Sequence, residues 1–220
     1  MSSDENYILL GPPGSGKSTQ AELLKGALHL AHIDMGSELR AAAEEDTPLG
    51  RMINDTMHRK RELLPDNIMR SVLERALERI PRTTGIIIDG APRRETQIDE
   101  VLAVLKQFGR TLKKIVFIDL SESLSVDRIS KRYLCFGCHR PYILGKDLTT
   151  AEVPCAFCGG KIGQRQDDTP AGVRKRYLVF HKETLPVVKY FEKTEQLLHV
   201  NGDHETHVVF KNILSHLRPD

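Results

Sequence analysis

"GPPGSGKST", Gly11–Thr19, is the stretch whose reading decides the fold. It satisfies G-x-x-x-x-G-K-[ST], follows the apolar run Tyr7–Leu10, and opens a stretch, Lys17–Leu28, with apolar residues at helical spacing. A buried parallel strand that runs into a glycine-rich loop and then a helix is the setting in which this motif holds phosphate. Glycines let the backbone curl until its N–H groups point inward, and the helix N-terminus adds a positive field. Gly14, Ser15, Gly16, Lys17, Ser18 and Thr19 are therefore the candidate triphosphate cradle. Lys17 would reach the β- and γ-phosphates, and the Ser18 hydroxyl would serve Mg²⁺. A plain glycine-rich turn is the bland alternative, and the strand and helix around the motif argue against it.

Working outward, three more short apolar runs read as buried strands: Ile86–Ile88, Ile115–Leu120 and Leu197–Val200. Helical periodicity is predicted near 37–45, 49–60, 67–80, 95–108, 122–133, 171–195 and 205–217. Strands alternating with helices predict an α/β fold, a P-loop architecture with a parallel sheet flanked by helices. Asp89 ends the strand "GIIID", a position suited to holding Mg²⁺ through water, although an Asp there could simply cap a turn. Gly90 follows it, where many P-loop hydrolases place a water-activating carboxylate, which favours transfer over hydrolysis. An Asn-Lys-x-Asp motif, the mark of a GTP switch, is missing from the sequence.

Two segments break the alternation. Residues 34–64 are helical and charged without a strand, and residues 133–168 carry turn residues and all four cysteines. Cys135-x₂-Cys138-x₁₆-Cys155-x₂-Cys158 has nearly zinc-ribbon spacing, two knuckles that supply four thiolates to one tetrahedral ion. Four protein ligands leave no open position, so the site is read as structural; zinc and iron both fit. Two disulfides are arithmetically possible, but nothing in the sequence suggests secretion, and a reduced cytoplasmic metal site is the preferred reading. An insert of under 40 residues cannot build a proper core. Metal binding, on the order of 10 kcal/mol, would fold it.

Composition sets the bounds. The chain has 220 residues, 40% hydrophobic, with a net charge of +2, enough for one core and no global nucleic-acid signal. No run approaches the roughly 20 apolar residues of a membrane span. The opening Met1–Asn6 is polar, with no signal-peptide core behind it. Arginines at predicted element ends (Arg40, Arg93, Arg128, Arg132, Arg165 and Arg176) suit a site that gathers many anionic oxygens. Arg128 and Arg132 are i, i+4 on one predicted helix face, a spacing that solvated surface arginines would share.

With these features in hand, the chain resembles the adenylate kinases, in their long form with a zinc-binding lid, over about residues 6–215. "GPPGSGKSTQAELL", "GIIIDGAPRRETQ", "VDRISKR" and "GQRQDDTPAGVRKR" carry the resemblance. It implies a P-loop core (1–33, 65–130 and 169–220), an insert for the monophosphate (34–64) and a mobile lid (131–168). By position, Lys17 and Arg132 would hold ATP phosphates, Arg128 would flank its adenine, and Pro141 and Tyr142 would meet its base or ribose. Arg40 and Arg93 would bind the AMP phosphate, Gln97 the adenine edge and Leu64 the base. Met35 and Gly90 would line the AMP pocket, and Arg165 and Arg176 would span the transferring group. Asp167 and Asp168 match an acidic pair at the lid hinge, and Asp168 or Thr169 would cap a helix starting at Pro170. The implied reaction is ATP + AMP ⇌ 2 ADP with Mg²⁺, in a monomer that binds neither nucleic acid nor membrane.

The pattern departs from the family in three places. Ser18 stands where Gly is usual, Met35 where Thr is common, and Ala91 where Phe is usual. Loss of a buried aromatic removes about 1–3 kcal/mol of apolar contact, which the flexible Met35 could partly restore. These changes keep another monophosphate kinase or a GTP:AMP enzyme open as rivals. A more distant rival is an NTP switch carrying a nucleic-acid-binding ribbon. Against it, the clip holds few basic residues (His139, Arg140, Lys146, Lys161) and no aromatic stacking row.

Overall fold

The computed structural model describes residues 5–56, 64–138, 140–150, 152–165 and 167–218. Its centre is a five-stranded sheet in the order β2-β3-β1-β4-β8, with β1 Asn6–Leu10, β2 Ala31–Asp34, β3 Ile86–Asp89, β4 Lys114–Asp119 and β8 Leu197–Asn201. Each paired neighbour is parallel. Parallel strands need crossovers, and the helices that supply them cover both faces, so the strands are apolar on both sides. Ile8, Ile88 and Phe117 enter one apolar layer, and Leu9, Ile87 and Val116 enter the other. Helices α1 (Lys17–Leu28) and α9 (Thr206–Leu217) close the second layer. Helices α4 (Asp66–Glu78), α5 (Thr96–Gln107) and α8 (Leu185–Glu192) close the first. Among the described residues no helix is long and apolar enough to cross a membrane.

Strand β2 was not expected from sequence. "AHID" buries only Ile33, because an edge strand has one neighbour and keeps polar side chains, so its apolar signal is weak. Beyond it come α2 (Met35–Glu44) and α3 (Pro48–Asn54), within the segment expected as an insert; the rest of the helix expected to residue 60 lies from 57 on outside the described residues, as does His139.

Two helix boundaries need correction. The helix expected over 122–133 is α6, Glu122–Ser130, and Arg132 opens strand β5, Arg132–Cys135. Arg128 and Arg132 are therefore not on one helix face. Strand β5 pairs antiparallel with β6 (Pro141–Ile143) and β7 (Ile162–Gly163), so ladder bonds outweigh the local helical pattern there. The helix expected over 171–195 is α7 (Pro170–Val179), a π-helical turn (Phe180–Thr184) and then α8. Pro186 lacks the N–H that an uninterrupted α-helix would need.

Candidate active site

The phosphate loop lies at the C-terminal end of β1, the central strand. Gly14 and Gly16 take positive φ, 75° and 91°, which side-chain-bearing residues rarely adopt. Nothing lies within 4 Å of where a Gly16 Cβ would be, so the loop is open on that side. Gly16 is the N-cap of α1 and supplies no side-chain acceptor, which leaves the first N–H groups of the helix for an anion. Opposite, the Ser125 hydroxyl of α6 donates to the Pro13 carbonyl and ties the loop down. Ser15 is buried, while Ser18 and Thr19 are exposed on the first turn of the helix.

Lys17 folds back over the loop. Its Nζ donates to the carbonyls of Gly11 (2.8 Å) and Pro12 (2.9 Å) and lies 3.3 Å from Ser15 Oγ. Its pKa is pushed down to about 8, chiefly by burial; Asp89 opposes this, and Arg93 and Arg132 reinforce it. The Ser18 hydroxyl donates to Asp89 Oδ2 at 2.5 Å. Two hard oxygen donors thus meet where β3 ends beside the loop, a donor set that suits Mg²⁺.

Arginines from three parts of the chain converge here. Arg93 Nε donates to the Gly90 carbonyl (2.9 Å), and the Arg93 carbonyl accepts from Thr184 Oγ1 (3.0 Å), a contact set by the π-helical turn. The Arg93 side chain opens to the cleft, yet protein atoms crowd it; this desolvation lowers its pKa, Asp89 and Asp34 oppose, and Arg40 adds to the lowering. Arg165 is pushed down to about 10 by burial and then by Arg132 and Arg40, with Asp168 and Asp167 opposing. Its guanidinium has no hydrogen-bonded partner among the described residues, nor does that of Arg128, half-buried on α6. Arg40, Arg93, Lys17, Arg132 and Arg165 therefore form a chain of cations, each feeling its neighbour. Such mutual repulsion is relieved by an anionic ligand.

Carboxylates hold two of the arginines, Arg132 and Arg176. Asp168, whose side chain is 1% exposed, accepts from Arg132 Nη2 (2.8 Å) and Nε (3.1 Å) and from Arg176 Nη2 (2.8 Å). Arg176 also reaches Asp167 Oδ2 at 3.1 Å, and its buried Nε has no partner among the described residues. A carboxylate this deeply buried is tolerable only when paired, and two bonds to one guanidinium fix its plane. Arg132 opens β5 and Asp168 precedes α7, and between the same two segments Gln164 Nε2 donates to the Ser130 carbonyl (2.7 Å). Of the two capping candidates, Thr169 caps α7, its Oγ1 accepting from Gly172 N (3.1 Å). Asp168 holds the arginines instead.

The start of α2 is ordered by Asp34. It caps α2 by accepting from Gly36 N and Ser37 N, and Ser37 Oγ in turn accepts from Arg40 Nη2 (2.7 Å). Burial raises the Asp34 pKa, but bonds from Ser37 and the charge of Arg40 bring it below the ordinary value. Met35 and Ala91 are both fully buried in the same apolar layer, and a Cβ placed on Gly90 would lie 3.8 Å from Met35 Cβ. Gln97 is buried, its Oε1 accepting from Arg93 N and its Nε2 donating to Asp66 Oδ1, each at 2.7 Å. Leu64 is also buried, and its carbonyl accepts from Arg94 Nη1 (3.2 Å). Sequence reasoning missed Asp34, Asp66 and Thr184. Asp34 was recoverable, since an Asp three residues before Ser37 at a helix start is a capping signal.

In the lid, the four cysteine sulfurs lie within 4.8 Å of one another. Cys135–Cys158 is 3.4 Å and Cys138–Cys155 is 3.6 Å, far from a bond and near the roughly 3.8 Å edge of a ZnS₄ tetrahedron with Zn–S about 2.3 Å. The N–H groups of Gly137 and Cys138 point at Cys135 Sγ (3.4 and 3.5 Å), as a thiolate knuckle requires. A Cβ on Gly160 would lie 2.9 Å from Cys135 Sγ, so only glycine fits the second knuckle. The four-cysteine cluster is therefore compatible with zinc. The Tyr142 hydroxyl lies 3.0 Å from Cys155 Sγ. This turns Tyr142 toward the thiolates, whereas Pro141, next along β6, is exposed.

Comparison with known proteins agrees with this geometry. The family model described as adenylate kinase matches residues 9–196. An adenylate kinase of Thermosipho melanesiensis is 36% identical over 213 residues, 97% of this chain and 99% of the relative. One from Dehalococcoides mccartyi is 36% identical over 213 residues, covering 97% and 98%. One from a Geobacillus species is 32% identical over 208 residues, covering 94% and 96%. A P-loop core, a cation-lined cleft and near end-to-end similarity lead to one conclusion: the chain belongs to the adenylate kinase family, enzymes that move a phosphoryl group between ATP and AMP.

Proposed function

We propose that the chain transfers the γ-phosphoryl group of Mg-ATP directly to AMP, giving two ADP, with closure of the lid over the reactants. The observation that carries this reading is the cation chain from Arg40 through Arg93, Lys17 and Arg132 to Arg165, recorded in the neighbours that depress Lys17, Arg93 and Arg165. Phosphoryl transfer needs little covalent work from a protein; it needs positioning and positive charge around the equatorial oxygens. Lys17 and the α1 N-terminus would hold the ATP phosphates, with Arg132 beside them and Arg128 at the base. Arg40 and Arg93 would hold the AMP phosphate, and Arg165 and Arg176 would bridge the two. Ser18 and Asp89 would hold Mg²⁺, which supplies charge neutralisation on the β- and γ-oxygens. No general base is assigned.

The working parts would be the core (1–33, 65–130 and 169–220), the monophosphate insert (34–64) and the lid (131–168). Zinc in the Cys135, Cys138, Cys155 and Cys158 tetrahedron would stiffen the lid, so that closure excludes water and suppresses hydrolysis. The enzyme is read as a cytoplasmic monomer acting on free nucleotides. Gln97 would read the adenine of AMP, with Leu64, Met35 and Gly90 around it. Diphosphate formation over a matrix of ATP and GTP donors against AMP, GMP, CMP and UMP acceptors tests this. AMP with ATP is expected to be the best pair; AMP among the poorest acceptors would overturn the reading in favour of another monophosphate kinase.

A further inference from the structure

Asp66 lies at the start of α4, with its side chain directed at the residues that open α5. One carboxylate collects three donors: Thr96 Oγ1 at 2.6 Å, Gln97 Nε2 at 2.7 Å and Arg94 Nη1 at 3.4 Å. An acidic residue in a first helical turn normally interacts with its own N–H groups. Here it spends its oxygens on the neighbouring helix start instead.

The consequence for Gln97 is specific. A primary amide can rotate by half a turn and exchange donor for acceptor, and at most sites either orientation is accessible. At Gln97 both ends are addressed by groups that have no choice. The Arg93 backbone N–H can only donate, and it takes Oε1 at 2.7 Å. The Asp66 carboxylate can only accept, and it takes Nε2 at 2.7 Å. The amide is held in one orientation, with one lone pair on oxygen and one N–H on nitrogen still uncommitted.

That remaining pair has a chemical sense. The Watson–Crick edge of adenine offers an acceptor, N1, beside a donor, the N6 amino group. Guanine offers the reverse, a donor at N1–H beside an acceptor at O6. An amide whose N–H and C=O are locked in place matches one edge and opposes the other. We propose that Asp66 is a positioning residue that locks the Gln97 amide in the adenine-reading orientation and so sets the preference for AMP over GMP. This rests on Gln97 being the group that reads the acceptor base. Asp66 also bonds Thr96 and Arg94, and its effect on the choice of base runs through Gln97. Discrimination of this kind is large because the wrong base leaves buried polar groups facing like against like.

The test measures kcat/KM for AMP and GMP, at saturating ATP, in the full-length protein and in the D66N and Q97L variants. The side-chain amide that D66N introduces would offer a donor as well as an acceptor, so only the Arg93 N–H would still oppose a turned Gln97 amide. In D66N we expect AMP to fall and GMP to rise, narrowing their ratio at least ~10-fold, with KM for ATP within about twofold of the parent. A structural role for Asp66 alone would lower AMP without raising GMP, and that result overturns the proposal. If Q97L leaves the AMP:GMP ratio unchanged, the base-reading role of Gln97 fails, and the proposal with it. If Q97L narrows the ratio and D66N does not, the base reading survives and the Asp66 lock is refuted. Should D66N not fold, side-chain amide NMR on the unmodified protein decides. A locked Gln97 gives one slowly exchanging N–H proton with a coupling across the hydrogen bond to the Asp66 carboxylate, and a freely turning amide refutes the lock.

Discussion

In the five-stranded sheet, Ile8, Ile88 and Phe117 pack into one apolar layer, and Leu9, Ile87 and Val116 pack into the other. In the lid sheet the buried cluster is Cys135, Leu148, Cys155 and Ile162, and two of those four are cysteines of the metal-ligand set. The core excludes water by apolar area, at roughly 25 cal/mol per Å². The lid sheet buries a much smaller apolar cluster, and its four cysteines are compatible with a metal ion that would add to it. Their functional groups differ in the same way. The core presents backbone N–H groups and Lys17 from a loop anchored at both ends. The lid presents Arg132 and Arg165 from a stalk joined by Asp168 and Gln164. The sheet core is held by burial, whereas the small sheet is tied to it by a few polar bonds, and its four thiolates are compatible with an ion.

The largest expected effect is on the core side. Lys17→Ala should lower kcat by about 10³-fold or more, since it removes a cation from the transferring phosphates. Its circular dichroism and melting curve should stay close to the parent's, because among the described residues Lys17 bonds only its own loop. A loss under tenfold would remove Lys17 from the centre of the site. On the lid side, Cys138→Ser should abolish stoichiometric zinc by elemental analysis and lower the melting temperature. Hydrogen exchange should then rise across residues 132–163 while β1, β3 and β4 keep their protection. Equal loss of protection in both sheets would break the contrast between them.

The smallest effect is a pH dependence. Lys17 is depressed to about 8 from its ordinary 10.5, so folding favours its neutral form. The stability tied to this group is greatest above about 10.5 and is lost as pH falls through about 8. For binding the sign is opposite, because phosphate needs the charged form. The kcat/KM for ATP should decline above about pH 8, while kcat holds to higher pH because bound phosphates restore the proton. A flat profile to pH 10 would show that the loop does not depress this lysine.

Much of this was legible in sequence where a motif acts locally. The glycines at 14 and 16, Lys17 and the cysteine knuckles each carry their geometry in their own spacing. Strand β2 was not legible, because "AHID" has one buried residue and its strand character comes from pairing with β3. Arg132 was misplaced on a helix because the ladder to β6 and β7 joins residues far apart in the chain. Asp168 was expected in an acidic pair at the hinge or as a helix cap, and only its burial between Arg132 and Arg176 shows what it holds. Tyr142 carried no sequence signal of its place beside Cys155.

The sequence by itself determined the phosphate cradle, the alternation of strands with helices and the two thiolate knuckles, because each is written in local spacing and periodicity. Only the tertiary structure decided which carboxylate holds which arginine, that Asp66 addresses Gln97, and that Arg40 and Arg165 feel each other across the cleft. Those are long-range electrostatic and hydrogen-bond pairings. They depend on distances that chain spacing leaves open until the core has packed.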